Sequence, residues 1–264
     1  MKNLIFTILI IVVVAGCAGR PPAPINNYGN DRSRQSSNTS RSSSRRPPLP
    51  GQKPKSNQQA QTITIEKPSI TSGTNKTLDG NEVFKKSNSA VFMIYTSTGY
   101  EGFQGSGFFI SADGLAVSNY HVFEGTGIGL ETIKLFNDRE LKVKDVILKD
   151  KENDIIVFTV KNPNNTKFNF IPLSSRNPQV GDKVYAIGSP RGLQNTFTSG
   201  EISQIRGDNL IQISVPIDHG SSGGALINEY GEAIGITTAG IDDSGANLNF
   251  AVNISVVKKN LSIR

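Results

Sequence analysis

From about residue 90 onward, apolar residues fall in short runs rich in Val, Ile, Phe and Thr, each closed by turn residues. The runs are "AVFMIYTS", "GSGFFIS", "LAVSN", "LKVKDVILK", "DIIVFTV", "KVYAIGS", "TFTSGEISQI", "LIQISV", "GALIN", "EAIGITT" and "NLNFAV". Runs of this length with β-branched and aromatic enrichment predict strands, and "SADG" and "NEYG" supply turns between them. Many short strands without amphipathic helices between them predict an all-β, antiparallel barrel or sandwich. A helical pattern appears only near the end, over residues 254–261. No repeat period is visible.

The pattern before residue 80 is of another kind. "MKNLIFTILIIVVVAGCAG" has a basic start at Lys2 and an apolar run from Leu4 to Ala15. That run is shorter than the roughly 20 residues a membrane-spanning helix needs, so residues 1–16 are predicted to be an export signal. Val14-Ala15-Gly16-Cys17 resembles the bacterial lipoprotein box, which implies a lipidated (palmitate-type) Cys17 as the mature N-terminus. An ordinary signal peptide with an incidental cysteine is the alternative. Residues 17–80 are dominated by Ser, Arg, Pro, Asn and Gln, a composition that cannot offset the entropy of ordering, and are expected to form a disordered tether. A coil of that length spans about 45 Å root-mean-square. Residues 81–264 are the expected folded domain.

Composition then narrows the function. Cys17 is the only cysteine, so the exported fold has no intramolecular disulfide and must rest on packing. The formal net charge is +6, but the basic excess sits ahead of residue 81, and the folded part carries slightly more acidic than basic side chains. That distribution speaks against nucleic acid as a partner. With two histidines and no H-E-x-x-H, no metal-ligand set is evident and no cofactor is expected.

Three residues in separate runs carry the chemistry. His121 follows a strand in "AVSNYHVFEG", Asp154 heads the strand of "KENDIIVFTV", and Ser222 lies in "PIDHGSSGGALIN". Taken singly, a buried histidine, a strand-capping aspartate and a Gly/Ser hairpin would be the plainer readings. Their order along the chain, His then Asp then Ser, is one in which acyl-transfer triads are assembled. G-x-S-x-G also suits a lipase-type nucleophile elbow, but that arrangement needs a histidine after the serine, and none follows Ser222. "GTGIGL" near Gly125 lacks the strand-to-helix setting of a nucleotide site.

"GSGFFISADGLAVSNYHV", "NDIIVFTV", "VGDKVYAIGSPRGLQNTFTSGEIS" and "GSSGGALINEYGEAIGITTAG" together resemble the trypsin-like serine proteases, nearest to the Deg/HtrA type, over residues 83–257. The resemblance implies two antiparallel β-barrels of the chymotrypsin type with a C-terminal helix. It implies Ser222 as nucleophile, His121 as base and Asp154 as its partner, with Ser221 in the variable slot. It places the oxyanion hole at the N–H groups of Gly220 and Ser222, on a turn that glycines leave unobstructed. His219, close to Ser222 in sequence, is expected to point away from the nucleophile. Where trypsin has a pocket aspartate this chain has Pro216, followed by Ile217, which implies an apolar residue of small to medium size ahead of the cleaved bond. Ile217, Thr237, Thr238 and Ala239 are the expected substrate-binding residues, with "ITTAG" offering an edge on which substrate pairs as a strand.

Deg-type proteases usually continue into PDZ domains, whereas this chain ends at Arg264, so capture through a PDZ domain is not expected. Members often trimerise through the start of the protease domain, where "NEVFKKSNSAVF" lies, which makes a homotrimer one expected assembly. The leading expectation is a membrane-tethered serine endopeptidase acting on extended or unfolded envelope or secreted polypeptides. A catalytically silent, peptide-binding or docking module of the envelope is the alternative. Ala18 stands where an inner-membrane retention aspartate would, so the expected location is the outer membrane, facing the periplasm or displayed at the surface.

Overall fold

A computed structural model describes residues 70–71, 76–99, 101–127, 129–189, 192, 195–241 and 248–261, with the side chains of 70, 71 and 239–241 set aside. The expected signal peptide, Cys17 and most of the expected tether lie outside the described residues. In chain order the strands are β1 Ile70–Thr71, β2 Val91–Ser97, β3 Gly102–Phe109, β4 Leu115–Ser118 and β5 Thr132–Lys134. Next come β6 Glu140–Leu141, β7 Val143–Asp150, β8 Ile155–Val160, β9 Leu173–Ser174 and β10 Lys183–Gly188. The last are β11 Thr196–Arg206, β12 Leu210–Ile213, β13 Ala225–Asn228, β14 Ala233–Ile241 and β15 Leu248–Asn253. The helices are α1 Gly80–Ser87 and α2 Ser255–Asn260, and 3₁₀ turns cover Asn88–Ala90 and His121–Phe123.

These strands make two barrel-like sheets, as expected. The first runs β6-β5-β2-β3-β4-β8-β7 and is antiparallel throughout. The second runs β1-β9-β14-β13-β10-β11-β12-β15, and β15 returns to pair with β14, which closes six of its strands into a barrel. Its only departure from antiparallel pairing is at β9, where β1 and β14 both pair parallel over one or two residues.

Burial explains why the strands read as continuous apolar runs rather than alternating ones. On β2, Phe92 and Ile94 point into the first barrel, while Val91 points the other way, into a cluster shared by both barrels. That shared cluster joins Phe108 and Val117 of the first barrel to Ile187, Ala225 and Ile236 of the second. A separate cluster of Val184, Ile202, Ile211, Ile213 and Leu226 fills the second barrel. Strands buried on both faces lose the polar-out alternation of a one-sided sheet.

The folded part begins earlier than expected. Ile70–Thr71 pair with Leu173–Ser174, and the Leu78 N–H donates to the Glu229 carbonyl at 2.7 Å, both inside the segment expected to be tether. Helix α1 was not expected either. Its N-terminus is a capping box: Asp79 Oδ1 accepts from the Glu82 N–H at 2.8 Å, and Glu82 Oε2 accepts from the Asp79 N–H at 2.9 Å. Leu78, Val83 and Phe84 then anchor the helix on the shared cluster. The expected C-terminal helix is present as α2, seated on the same cluster through Val256 and Val257.

Phe92, fully buried with its ring 4.7 Å from Phe109, is the centre of the first barrel. Phe92→Ala is expected to lower unfolding free energy by about 3–5 kcal/mol, read by chemical denaturation of the full chain. A loss below about 1 kcal/mol would mean that the barrel interior is not packed around this ring.

Candidate active site

The His121 loop and the Asp154 loop belong to the first barrel. Strand β4 ends at Ser118, and the chain tightens into the 3₁₀ turn His121–Phe123, whose Val122 and Phe123 are buried. Those two apolar side chains fix the turn and leave the His121 ring, 42% exposed, on the outside. Asp154 stands immediately before β8 with φ +55°, a left-handed conformation that Asp tolerates better than most residues. Its carbonyl accepts from the Tyr120 N–H at 3.2 Å and from Asn119 Nδ2 at 3.0 Å.

The result is a two-pronged grip on the histidine. Asp154 Oδ2 lies 2.8 Å from His121 Nδ1, and Asp154 Oδ1 accepts from the His121 backbone N–H at 2.9 Å. A carboxylate on Nδ1 selects the tautomer that leaves Nε2 free to accept a proton. Thr238 Oγ1, from β14 of the second barrel, also reaches Asp154 Oδ2 at 3.4 Å. The side chains around the pair are charged but dispersed. Glu124 hydrogen-bonds Lys151 at 2.7 Å across the two loops, and that contact together with Glu124's charge holds the Lys151 amine above its ordinary pKa.

The turn that carries Ser222, residues 218–224, belongs to the second barrel and meets the first at β3. Its peptide groups are held one after another. The Ser221 N–H donates to the Asp218 carbonyl at 3.0 Å, and the Gly220 carbonyl accepts from Ser106 Oγ at 2.7 Å. The Ser221 carbonyl accepts from Thr237 Oγ1 at 2.7 Å and from the Gly224 N–H at 2.9 Å. The Ser222 carbonyl accepts from the Ser106 N–H, and the Gly223 N–H donates to the Thr237 carbonyl, each at 2.8 Å. Among the described residues, the N–H groups of Gly220 and Ser222 take no hydrogen bond, and these are the two expected oxyanion donors. Gly223, at φ +89°, has no room for a side chain, because a Cβ there would overlap Ser106 O and Ser118 Oγ.

The sequence-derived candidates are distributed as follows. His121 and Asp154 are in contact. Ser222 is half-buried, across β3 from them: a Cβ on Gly105 would meet both Val122 and the Ser222 carbonyl. Among the described residues its hydroxyl forms no hydrogen bond with the His121 ring, and such bonds are often long before substrate binds. His219 is exposed, and its N–H donates to Asp218 Oδ1 at 2.7 Å. Ile217 is half-buried against the Ile213 and Val215 cluster. Thr237 is fully buried with its hydroxyl committed to the turn that carries Ser222, and Thr238 turns its hydroxyl toward Asp154. Ala239 lies in β14, and its side chain is outside the described residues. Asn119 and Ser106 were not singled out from sequence. Their only local signal is membership of the quoted "VSNYHV" and "GSGFF" segments.

A family model described as "Trypsin-like peptidase domain" matches residues 105–236, half of the chain. The chain is 41% identical over 165 residues to a probable serine protease do-like of Buchnera aphidicola, covering 58% of this chain and 34% of that protein. It is 36% identical over 166 residues to the periplasmic serine endoprotease DegP of Escherichia coli, covering 58% and 34%. It thus spans about a third of the length of these curated relatives. A crystal structure of the serine endoprotease from Yersinia pestis is similar with a TM-score of 0.62 and 29% identity, covering 70% of this chain and 65% of that one. Matched over the segments that bear His121, Asp154 and Ser222, the chain belongs to the trypsin-like peptidase family and is similar to its Deg-type members.

Proposed function

We propose that this chain is a serine endopeptidase that cleaves extended or unfolded polypeptides of the cell envelope, held to a membrane by a lipid on Cys17. The observation that carries the reading is the 2.8 Å contact of His121 Nδ1 with Asp154, beside a turn whose Gly220 and Ser222 N–H groups are left unbonded among the described residues. Ser222 Oγ would attack the scissile carbonyl carbon while its proton passes to His121 Nε2. The two unbonded N–H groups would receive the oxyanion, where preorganised donors are worth most. Collapse of the tetrahedral adduct breaks the C–N bond, the amine leaves with the proton from His121, and water repeats the sequence to release the acyl group. Asp154 holds the imidazole and stabilises its cationic form.

The backbone supports extended peptide as substrate. Strand β14 pairs with β13 only as far as Ile236, and beyond it the Gly223 N–H and Gly224 carbonyl engage Thr237. From Thr238 onward that side of β14 has no strand neighbour among the described residues, an edge where a substrate strand can pair. Pro216 and Ile217 offer a cationic side chain no carboxylate, which favours an apolar residue ahead of the cleaved bond. Residence in the envelope is supported by the likeness to relatives described as periplasmic, such as DegP, and by the N-terminal sequence. Among the described residues no helix is long and apolar enough to cross a membrane. The lipid anchor on Cys17 rests on the resemblance of Val14-Ala15-Gly16-Cys17 to the lipoprotein box. Attachment at the outer membrane and assembly as a homotrimer complete the proposal.

A fluorophosphonate probe tests the core of it. The wild-type chain and Ser221→Ala should label, and Ser222→Ala should not; failure of the wild type to label would instead favour a silent binding module. With an unfolded casein substrate, His121→Ala should lower turnover by about 10⁴–10⁶-fold and Asp154→Asn by about 10⁴-fold. His219→Ala should change it far less, and an equal loss there would reassign the base. A peptide-library profile should show Val, Ala or similar residues ahead of the cut. Enrichment of Lys or Arg would contradict the pocket reading.

A further inference from the structure

Ser106 is fully buried on β3, and every polar group it has is spent at the seam between the barrels. Strand β3 pairs with β4 only at Phe108 and Phe109, so at Ser106 the strand edge that β4 would have covered is open. The Ser106 N–H on that edge donates to the Ser222 carbonyl at 2.8 Å, and its carbonyl accepts from Ser118 Oγ at 2.7 Å. The hydroxyl then does two things at once: it donates to the Gly220 carbonyl at 2.7 Å and accepts from the Ser189 N–H at 2.9 Å. One residue of the first barrel therefore holds two carbonyls within the turn, those of Gly220 and Ser222, together with the end of β10.

We infer that Ser106 is a positioning residue, whose hydroxyl fixes the Gly220–Ser221 peptide, the one between the two peptides that carry the Gly220 and Ser222 N–H groups, and so limits how far those N–H groups can turn. The inference rests on the proposed acyl-transfer reading of the same site. A carbonyl turned by its bond to Ser106 Oγ cannot swing toward the position where an oxyanion would form, and the peptide joining Gly220 to Ser221 is held at its other end by Asp218 O. Gly220 lies at φ +94° and lacks a Cβ, so nothing in its own side chain resists rotation. From outside the turn, the restraint on that carbonyl is the Ser106 hydroxyl. Ser106 is fully buried beneath the turn it holds, so its effect is expected on the chemical step rather than on binding.

The test is the kinetics of fluorophosphonate labelling of the full chain, resolved into the apparent affinity of the probe and the maximal rate of bond formation. Ser106→Ala should lower the maximal rate by about 10–100-fold, the scale of a small misplacement in a preorganised site, with apparent affinity unchanged. Ser111→Ala is the control, because it removes another buried hydroxyl, one that accepts from the Leu115 N–H at 3.2 Å within the first barrel. It should lower thermal stability and leave the labelling rate as in the wild type. Ser106→Cys, close in size and a weaker donor, should label at a rate between wild type and Ser106→Ala, and it serves if the alanine variant does not fold. A wild-type rate in a folded Ser106→Ala, or in Ser106→Cys, overturns the inference, as does a matching loss in Ser111→Ala. A wild-type chain that does not label at all overturns the acyl-transfer reading instead.

Discussion

The seam where β3 of the first barrel meets the turn of residues 218–224 is the contact on which the site depends. A sharp turn cannot satisfy its own peptide groups, and buried ones left unpaired cost about 1–3 kcal/mol each. Here the partners come from Ser106, from Thr237 on β14 and from within the turn, and among the described residues they leave over the N–H groups of Gly220 and Ser222, the two proposed oxyanion donors. The arrangement of donors and the stability of the loop are thus one problem with one solution. Substituting any partner would change both.

Magnitudes separate what holds the barrels together from what sets their angle. A net intramolecular hydrogen bond contributes about 0.5–1.5 kcal/mol, whereas burying one large apolar side chain contributes about 1.5–3 kcal/mol. The cluster shared between the barrels contains Val91, Phe108, Val117, Ile187, Ile227 and Ile236, all fully buried. It outweighs the handful of seam hydrogen bonds and keeps the barrels docked without a disulfide. The polar contacts of Ser106 and Thr238, which cross between the barrels, are directional, and they decide how the docked surfaces are registered. Surface pairs such as Lys151 with Glu124, largely exposed, add little to either.

The long strands and the His–Asp–Ser order of the candidate residues were legible in the sequence, and whatever depends on distance along the chain was concealed. Strands such as β2, β8 and β10 were legible because burial on both faces makes them continuous apolar runs. The strands β1, β5, β6 and β9 are two or three residues long and leave no period to read. Helix α1 was hidden because Gly80 and Asn81 are poor helix formers at its start, although Asp79 and Glu82 carry a readable capping box. His121, Asp154 and Ser222 could be picked out by residue type and order, since few side chains do their chemistry. Ser106 could not: its hydroxyl partners are 83 and 114 residues away, and serine in a glycine-rich strand has many plainer uses. Thr237 and Thr238 were noticed for the edge they form, while the service of their hydroxyls to the turn and to Asp154 needed coordinates.

Asp154 shows how local strain and residue choice are tied to the chemistry. Its backbone is left-handed, which costs roughly 1–2 kcal/mol relative to the ordinary regions for a residue with a side chain. The strain persists because its carbonyl is held by Tyr120 and Asn119, while its two carboxylate oxygens are divided between the His121 backbone and ring. That division explains why the shorter acid suits the place. With a single methylene, the carboxylate can reach the N–H and the Nδ1 of one residue together. A longer acid would add a torsion that no seen contact restrains, and asparagine would keep the backbone but present an amide where the imidazole needs an acceptor. Buried Asn119 therefore matters to the histidine although it does not touch it: by holding the Asp154 carbonyl it keeps the carboxylate aimed, and the ring's tautomer follows.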